Sequence, residues 1–264
     1  MTSKPAVESP EATTRWIQHR IDAVSADGGG RVVIPPGRWC CGSLQMKSGV
    51  ELQLESGAVL MAADDPSLFP SVGENDPGVT ANQKLPALLW ARNAEHISIT
   101  GPGRVDGGGD PDATPDWHAA QNRFRPAVTY LENCRNVRIR DVEFANAKWW
   151  TLHLRRCSDI CIRGIHIDNT WPNSDGIDPD GCRDLMISDS RLRCGDDCIV
   201  LKSTGGGSNE NVVITNCILE TAHACFKLGT ESLGSFRNIL LSNSVLRGSV
   251  AVGLYNGALS GCDV

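Results

Sequence analysis

The sequence predicts an all-β fold, a single-stranded parallel β-helix preceded by a short N-terminal capping helix, as one domain over residues 1–264. Three observations predict it. Helical periodicity is confined to the first 27 residues. Beyond them the chain reads as short strands separated by Gly, Asn, Asp and Ser. One strand pattern then recurs every 23–27 residues, a period that suits stacked coils.

The helix comes first. "TTRWIQHRIDAVSA" sets Trp16, Ile17, Ile21 and Val24 near helical spacing, and "DGGG" from Asp27 ends it. Two loose copies of the repeat follow, "GVELQL" from Gly49 and "HISITG" from His96. Five close copies come next: "NVRIRDVEF" from Asn136, "DICIRGIHI" from Asp159, "DLMISDSRL" from Asp184, "NVVITNCIL" from Asn211 and "NILLSNSVL" from Asn238. Each opens on a small polar residue, then alternates apolar positions before a turn-prone residue. A second strand follows each one, with apolar pairs at Leu152/Leu154, Ile177/Pro179, Ile199/Leu201, Phe226/Leu228 and Val252/Leu254. Leucine-rich repeats share the period but need an L-x-x-L-x-L signature and a helix per repeat, and neither is present.

The 11 cysteines have no paired CxxC spacing for zinc. Cys134, Cys157 and Cys182 occupy one repeat position, as a column of buried reduced thiols would. The net charge of −6 argues against a nucleic-acid partner. No apolar run approaches the roughly 18 residues of a membrane helix. The N-terminus has no apolar signal-peptide core, so the chain is expected to stay inside the cell or to have lost a leader.

The register also places the acids. "NSDGIDPD" from Asn173 and "CGDDCIVLKS" from Cys194 hold five of them. Counted back from the first apolar residue of each second strand, Asp175 and Asp197 share one column. Asp196 and His223 share the next. Three carboxylates and an imidazole are therefore expected on one patch, from three successive coils. Strict strand alternation would send Asp196 and Asp197 to opposite faces, so a bend at Gly195 is required, with a similar one at Gly176. Repulsion between the carboxylates should raise at least one pKa. A protonated acid beside an ionised carboxylate is what glycosidic hydrolysis needs. Asp178 and Asp180 read as turn residues bonding their own backbone. His153 falls in Asp178's column and reads as a partnered scaffold histidine.

These residues resemble the polygalacturonase family, glycoside hydrolase family 28, whose motifs run N-T-D, G-D-D, G-H-G and R-I-K on successive coils. Here "NSD" from Asn173 carries Ser for Thr, "GDD" from Gly195 is complete, and "AHA" around His223 keeps the histidine without its glycines. "GGGRVVIPPGRW" from Gly28 and "GRVDGGG" from Gly103 look like the family's opening coils. The resemblance implies a right-handed, pectin-lyase-like β-helix. It also implies hydrolysis of α-linked galacturonate in pectic poly- or oligosaccharide, with inversion and with no metal or other cofactor. Carried over, Asp196 is the general acid, Asp175 and Asp197 activate water, and His223 orients the acid or binds substrate. A coil spacing of roughly 5 Å would by itself read as retaining. The family pattern is preferred, because stacked carboxylates on one face need not confront each other across the sugar.

At the fourth motif, "VAVGLYNG" from Val250 puts Gly253 and Tyr255 at the places of the family's Arg and Lys. Lys227, one coil earlier and in register with Gly253, is expected to substitute in part for the missing cation. Asn173 and Lys202 complete the expected substrate contacts, with Trp171 as the best sugar-stacking tryptophan of Trp149, Trp150 and Trp171. Two rival readings use the same fold: a calcium-dependent pectate lyase with Asp175, Asp178, Asp196 and Asp197 as an oxygen cage, and a non-catalytic carbohydrate-binding β-helix. The chain stops at "ALSGCDV", about one strand past the last repeat, so a missing segment or a partner chain is expected over the C-terminal coil.

Overall fold

The computed structural model describes residues 9–73 and 85–252. Three parallel ladders run the length of the molecule, one more strand per coil than the repeat pattern resolves. The first ladder stacks Gly30–Ile34, Val50–Leu54, Glu95–Thr100, Arg135–Arg140, Ser158–Arg163, Arg183–Ser188, Asn209–Thr215 and Phe236–Ser242. The second stacks Gly37–Cys41, Ala58–Ala62, Arg104–Asp106, Glu143–Ala145, His166–Asp168 and Arg191–Arg193. The third stacks Leu44–Gln45, Ala87–Arg92, Ala127–Glu132, Leu152–Arg155, Ile177–Asp180 and Ile199–Ser203. The long strands Ile218–Ser232 and Val245–Val252 join the second and third ladders.

The polar residue that opens each repeat has a geometric reason. Asn136, Asp159, Asp184, Asn211 and Asn238 have φ of 55, 52, 55, 57 and 55°. This left-handed conformation costs most side chains about 1–2 kcal/mol but is tolerated by Asn and Asp. It turns the chain at the corner entering the first ladder. Their side chains also stack: Asn238 Nδ2 donates to Asn211 Oδ1, and Asn211 Nδ2 to Asp184 Oδ1, both at 2.9 Å. A second left-handed column, Asp141, Asp189, Asn216 and Asn243, turns the next corner.

Between the corners, alternation drives one side of every strand inward. Ile97, Val137, Ile160, Leu185 and Val212 form one buried column, and Ile99, Ile139, Ile162, Ile187 and Ile214 the next. Each such side chain contributes about 1.5–3 kcal/mol by leaving water. The expected thiol column is present: Cys134, Cys157 and Cys182 are buried on successive coils. All ten cysteines among the described residues are free thiols. Burial holds Cys157 well above the usual thiol range.

The helix α1 spans Pro10–Ala26, with proline in its first turn and Asp27 as its C-cap. Its Ile17 and Ile21 are fully buried, and Trp16 stacks on Trp39 at 5.1 Å between ring centroids. The helix thereby covers the apolar end of the first coil. At the other end Leu240, Val245, Val250 and Val252 are 52, 53, 60 and 64% exposed. Residues beyond Val252, on which the expectation of an uncovered coil rests, lie outside the described residues. No helix among the described residues is long and apolar enough to cross a membrane.

The last second-strand register is corrected. Phe226 pairs with Val250 and Leu228 with Val252, so Lys227 is level with Ala251 rather than Gly253. The shift comes from irregular pairing between Glu220 and Phe226, which a repeat counted from the first ladder does not register. Gly253, Leu254 and Tyr255 lie outside the described residues.

Candidate active site

The site forms where two turns precede adjacent third-ladder strands. Residues 171–176 carry Asp175 up to Ile177, and residues 194–198 carry Asp196 and Asp197 up to Ile199. Backbone bonds fix the stacking. The Asp175 carbonyl accepts from Thr151 N at 2.9 Å and from Thr151 Oγ1 at 2.7 Å, while Gly176 N donates to the Asp197 carbonyl at 2.9 Å.

Gly195 makes the second turn possible through close approach. A Cβ there would lie 2.2 Å from the Trp171 carbonyl oxygen and 2.6 Å from Ser174 Oγ. A Cβ on Gly176 would lie 2.4 Å from the Cys198 carbonyl oxygen. With both aspartates in the turn rather than on a strand, Asp196 and Asp197 reach one cleft together, as the required bend implies.

The register places the four expected residues together. Asp196 Oδ1 lies 3.9 Å from His223 Nδ1, across one coil step. The Asp196 carbonyl accepts from Thr221 Oγ1 at 2.6 Å, which in turn accepts from His223 N at 3.1 Å. Asp197 Oδ1 accepts from Ala224 N at 3.0 Å, and Asp197 Oδ2 accepts from Lys227 Nζ at 2.8 Å. Asp175, Asp196, Asp197, Lys202, Lys227 and Asn173 line one cleft of about 390 Å³, faced by Trp117, Gln121, Trp149 and Trp150. His223 stands at its edge, with its side chain 56% exposed.

The carboxylates are electrostatically unequal. Burial pushes Asp175 up to about 8, with Lys202 opposing the rise and Asp196 and Asp197 adding to it. Burial, and then Asp197, raises Asp196, with His223 and Lys227 opposing. Asp197, by contrast, accepts an ammonium hydrogen bond and a backbone N–H. One patch thus holds two carboxyls whose charged form burial disfavours, beside a third that accepts from an ammonium group.

Asp178 and Asp180 are not turn residues. Both lie in the strand Ile177–Asp180 and are buried. Asp178 Oδ1 is 3.8 Å from Lys202 Nζ. Burial, and then the neighbouring Asp175, hold Asp178 well above the usual carboxylate range. Burial acts to raise Asp180 too, but His153 and the Thr204 hydroxyl and N–H outweigh it and lower it. The short turn-like string "DGIDPD" hid this strand, because its outward residues are polar yet covered. His153 pairs with Asp178 in register as expected. It packs edge-on between Tyr130 and Trp150, with Nε2 3.5 Å from Asp180 Oδ2.

Trp171 is not available for stacking on sugar. It is only 2% exposed, its Nε1 donates to the Asp110 carbonyl at 3.0 Å, and Arg123 covers the ring at 5.6 Å. The tryptophans at the cleft are Trp149 and Trp150, stacked at 5.6 Å, together with Trp117 on α2, Trp117–Gln121. Trp117, Gln121 and Arg125 escaped the sequence reading because the segment carrying them belongs to no repeat column. Lys202 lies over the Trp150 ring at 4.3 Å. Lys227 is bound to Asp197, so its first partner is the site's own carboxylate.

Two ammonium groups stand inside the carboxylate cluster, Lys227 on Asp197 and Lys202 beside Asp178. A calcium cage needs those oxygens free of such cations. Among the described residues no group of three or more His, Cys, Asp or Glu is arranged to hold a metal ion.

Residues 31–251 match the family described as Glycosyl hydrolases family 28. A probable polygalacturonase of Vitis vinifera is 28% identical over 247 residues, covering 86% of this chain and 50% of that protein. An endo-polygalacturonase of Pectobacterium carotovorum subsp. carotovorum is 25% identical over 223 residues, covering 79% of this chain and 55% of that protein. The chain therefore spans about half the length of the curated relatives it matches. Among solved structures, a hyperthermoactive exopolygalacturonase from Thermotoga maritima superposes with a TM-score of 0.78 at 24% identity, covering 90% of this chain and 65% of that one. The polygalacturonase from Erwinia carotovora ssp. carotovora gives 0.69 at 19% identity, covering 94 and 83%. These likenesses identify the coil as the right-handed β-helix of the pectin-lyase-like type. A family match over most of its length establishes that this chain belongs to glycosyl hydrolases family 28.

Proposed function

We propose that the chain hydrolyses α-glycosidic bonds of galacturonate-containing pectic poly- or oligosaccharide, with inversion at the anomeric carbon. The observation that carries this reading is the convergence of Asp175, Asp196 and Asp197 on one cleft, with His223 3.9 Å from Asp196 and with burial raising Asp175 and Asp196. Asp196, its pKa raised, donates its proton to the leaving glycosidic oxygen. A water on the opposite face of the sugar attacks the anomeric carbon and gives its proton to Asp197. Asp175 holds that water from below, and its buried carboxyl resists a second negative charge beside Asp197. His223 orients Asp196. Lys202, Lys227 and Asn173 receive the uronate substrate. The family match supports hydrolysis over lyase or purely binding roles, and the ammonium groups among the acids argue against a calcium-held mechanism.

The test is release of reducing ends from polygalacturonate, rhamnogalacturonan and small α-uronides, with Asp196→Asn as control. Hydrolysis that disappears in Asp196→Asn supports the reading. Unsaturated products absorbing in the ultraviolet, abolished by chelator, would replace it with a lyase. Trapping of a covalent glycosyl-enzyme would overturn inversion.

A further inference from the structure

The cleft wall facing the aspartates carries a feature that the catalytic cluster does not use. Trp117 opens α2, whose cap Asp116 accepts from Ala119 N at 2.8 Å. The residue is 51% exposed, although it lines the same cleft as Asp175, Asp196 and Asp197. A large apolar ring left in water at the edge of a polar cleft is unfavourable unless something covers it.

Just past α2 lies a guanidinium with no carboxylate partner among the described residues. Arg125 Nη1 donates to Asn173 Oδ1 at 3.1 Å, and Nη2 donates to Gln121 Oε1 at 2.9 Å. Its guanidinium lies 4.3 Å from the centre of the Trp149 ring. Gln121 Nε2 also donates to Asn173 Oδ1, at 3.1 Å. Arg125 is half-buried, and every one of these partners is neutral. The arginines of the neighbouring third-ladder columns are instead matched to acids, Arg92 and Arg155 both meeting Glu132 at 2.9 and 3.2 Å. A partly desolvated cation held by amides and an aromatic face leaves a positive charge next to Gln121 and Asn173, which line the cleft.

We propose that Trp117, backed by Gln121 and Arg125, forms a sugar subsite beside the catalytic aspartates that takes an acidic sugar residue. The apolar face of the pyranose covers the Trp117 ring. The ring carboxylate lies over the Gln121–Asn173 edge, where Arg125 provides the compensating charge. Specificity for the charged sugar at this position thus comes from a loop outside the repeat. The inference rests on the glycoside-hydrolase reading for its choice of sugar, but its test does not need turnover.

Binding of hexagalacturonate is measured by calorimetry in an Asp196→Asn background, with and without Trp117→Ala. A roughly tenfold weaker Kd is expected in the double variant, with partial recovery for Trp117→Phe. Arg125→Gln is expected to weaken hexagalacturonate about tenfold while leaving its fully methyl-esterified form within about twofold. Circular dichroism melts confirm that each variant is folded. Equal affinity with and without Trp117 overturns the subsite, even if the parent hydrolyses polygalacturonate. Equal losses for charged and esterified ligands in Arg125→Gln overturn the charge assignment. If the parent hydrolyses no galacturonan yet Trp117→Ala still weakens binding, the subsite stands and the hydrolase reading falls. If the Asp196→Asn protein does not bind the hexamer, both fall.

Discussion

Asp175 shows how the site's residues are set against stability. Burial keeps its proton on up to about pH 8, whereas in an unfolded chain the proton leaves near the ordinary aspartate value of 3.8. Between those pH values the folded protein binds more protons than the unfolded one, so stability falls as pH rises. Asp175→Asn removes that loss. Its Tm is expected to exceed that of the parent at pH 7.5 and to lie close to it at pH 4, while turnover is lost. A gain of equal size at both pH values would show that the carboxyl is not held neutral. Lys227 holds Asp197 by geometry, donating to its Oδ2 at 2.8 Å. In Lys227→Ala the carboxylate loses its cationic partner and the cleft loses an ammonium group. A lower kcat is expected, together with a higher KM for uronate substrates. Unchanged kcat and KM would remove Lys227 from both roles. Asp196, Asp197, Asp175 and His223 were legible in the sequence because they lie in columns that the repeat defines. Asp178 was not, because a buried polar strand has the composition of a turn.

Two kinds of element decide whether those columns form. At the corners, Asn211 has φ of 57° and links Asp184 to Asn238 through its amide. Asn211→Ala is expected to cost about 1–2 kcal/mol, and Asn211→Gly clearly less, measured by urea unfolding. Equal costs would mean that the amide ladder, not the backbone conformation, governs the corner. At the catalytic turn, the space beside Gly195 is filled by the Trp171 carbonyl and Ser174. Gly195→Ala is expected to destabilise by about 1–3 kcal/mol and to reduce kcat more than that loss explains, because it displaces Asp196 and Asp197 together. The first-ladder strands were legible because five alternate cleanly in sequence. The second-ladder strands, several of only three residues, are too short to show a period. The final register slipped by two because irregular pairing in Ile218–Ser232 changes the count between ladders.

At the scale of the molecule, the coil is held by stacked apolar columns and unoxidised thiols rather than by cross-links. The ten described cysteines are all free, so a strong reductant is expected to leave Tm unchanged, as read by differential scanning calorimetry. A fall of several degrees would reveal a cross-link. The same regular stack is why the fold was readable from a single sequence, since an error in one coil is contradicted by its neighbours. The wall bearing Trp117 and Arg125 was unreadable for the converse reason, as an excursion between coils has no neighbour to be compared with. The stack also gives the catalytic cluster its form, because residues 175, 196, 197 and 223 meet only when three coils lie in register. The most direct test is the anomeric configuration of the first product from galacturonate oligomers, followed by proton NMR in the parent and in Asp196→Asn. The expected result is initial release of the β-anomer by the parent and a rate at least about a thousandfold lower for the folded variant. Initial release of the α-anomer would contradict inversion. Undiminished turnover in Asp196→Asn would contradict the assignment of the acid on which the mechanism depends.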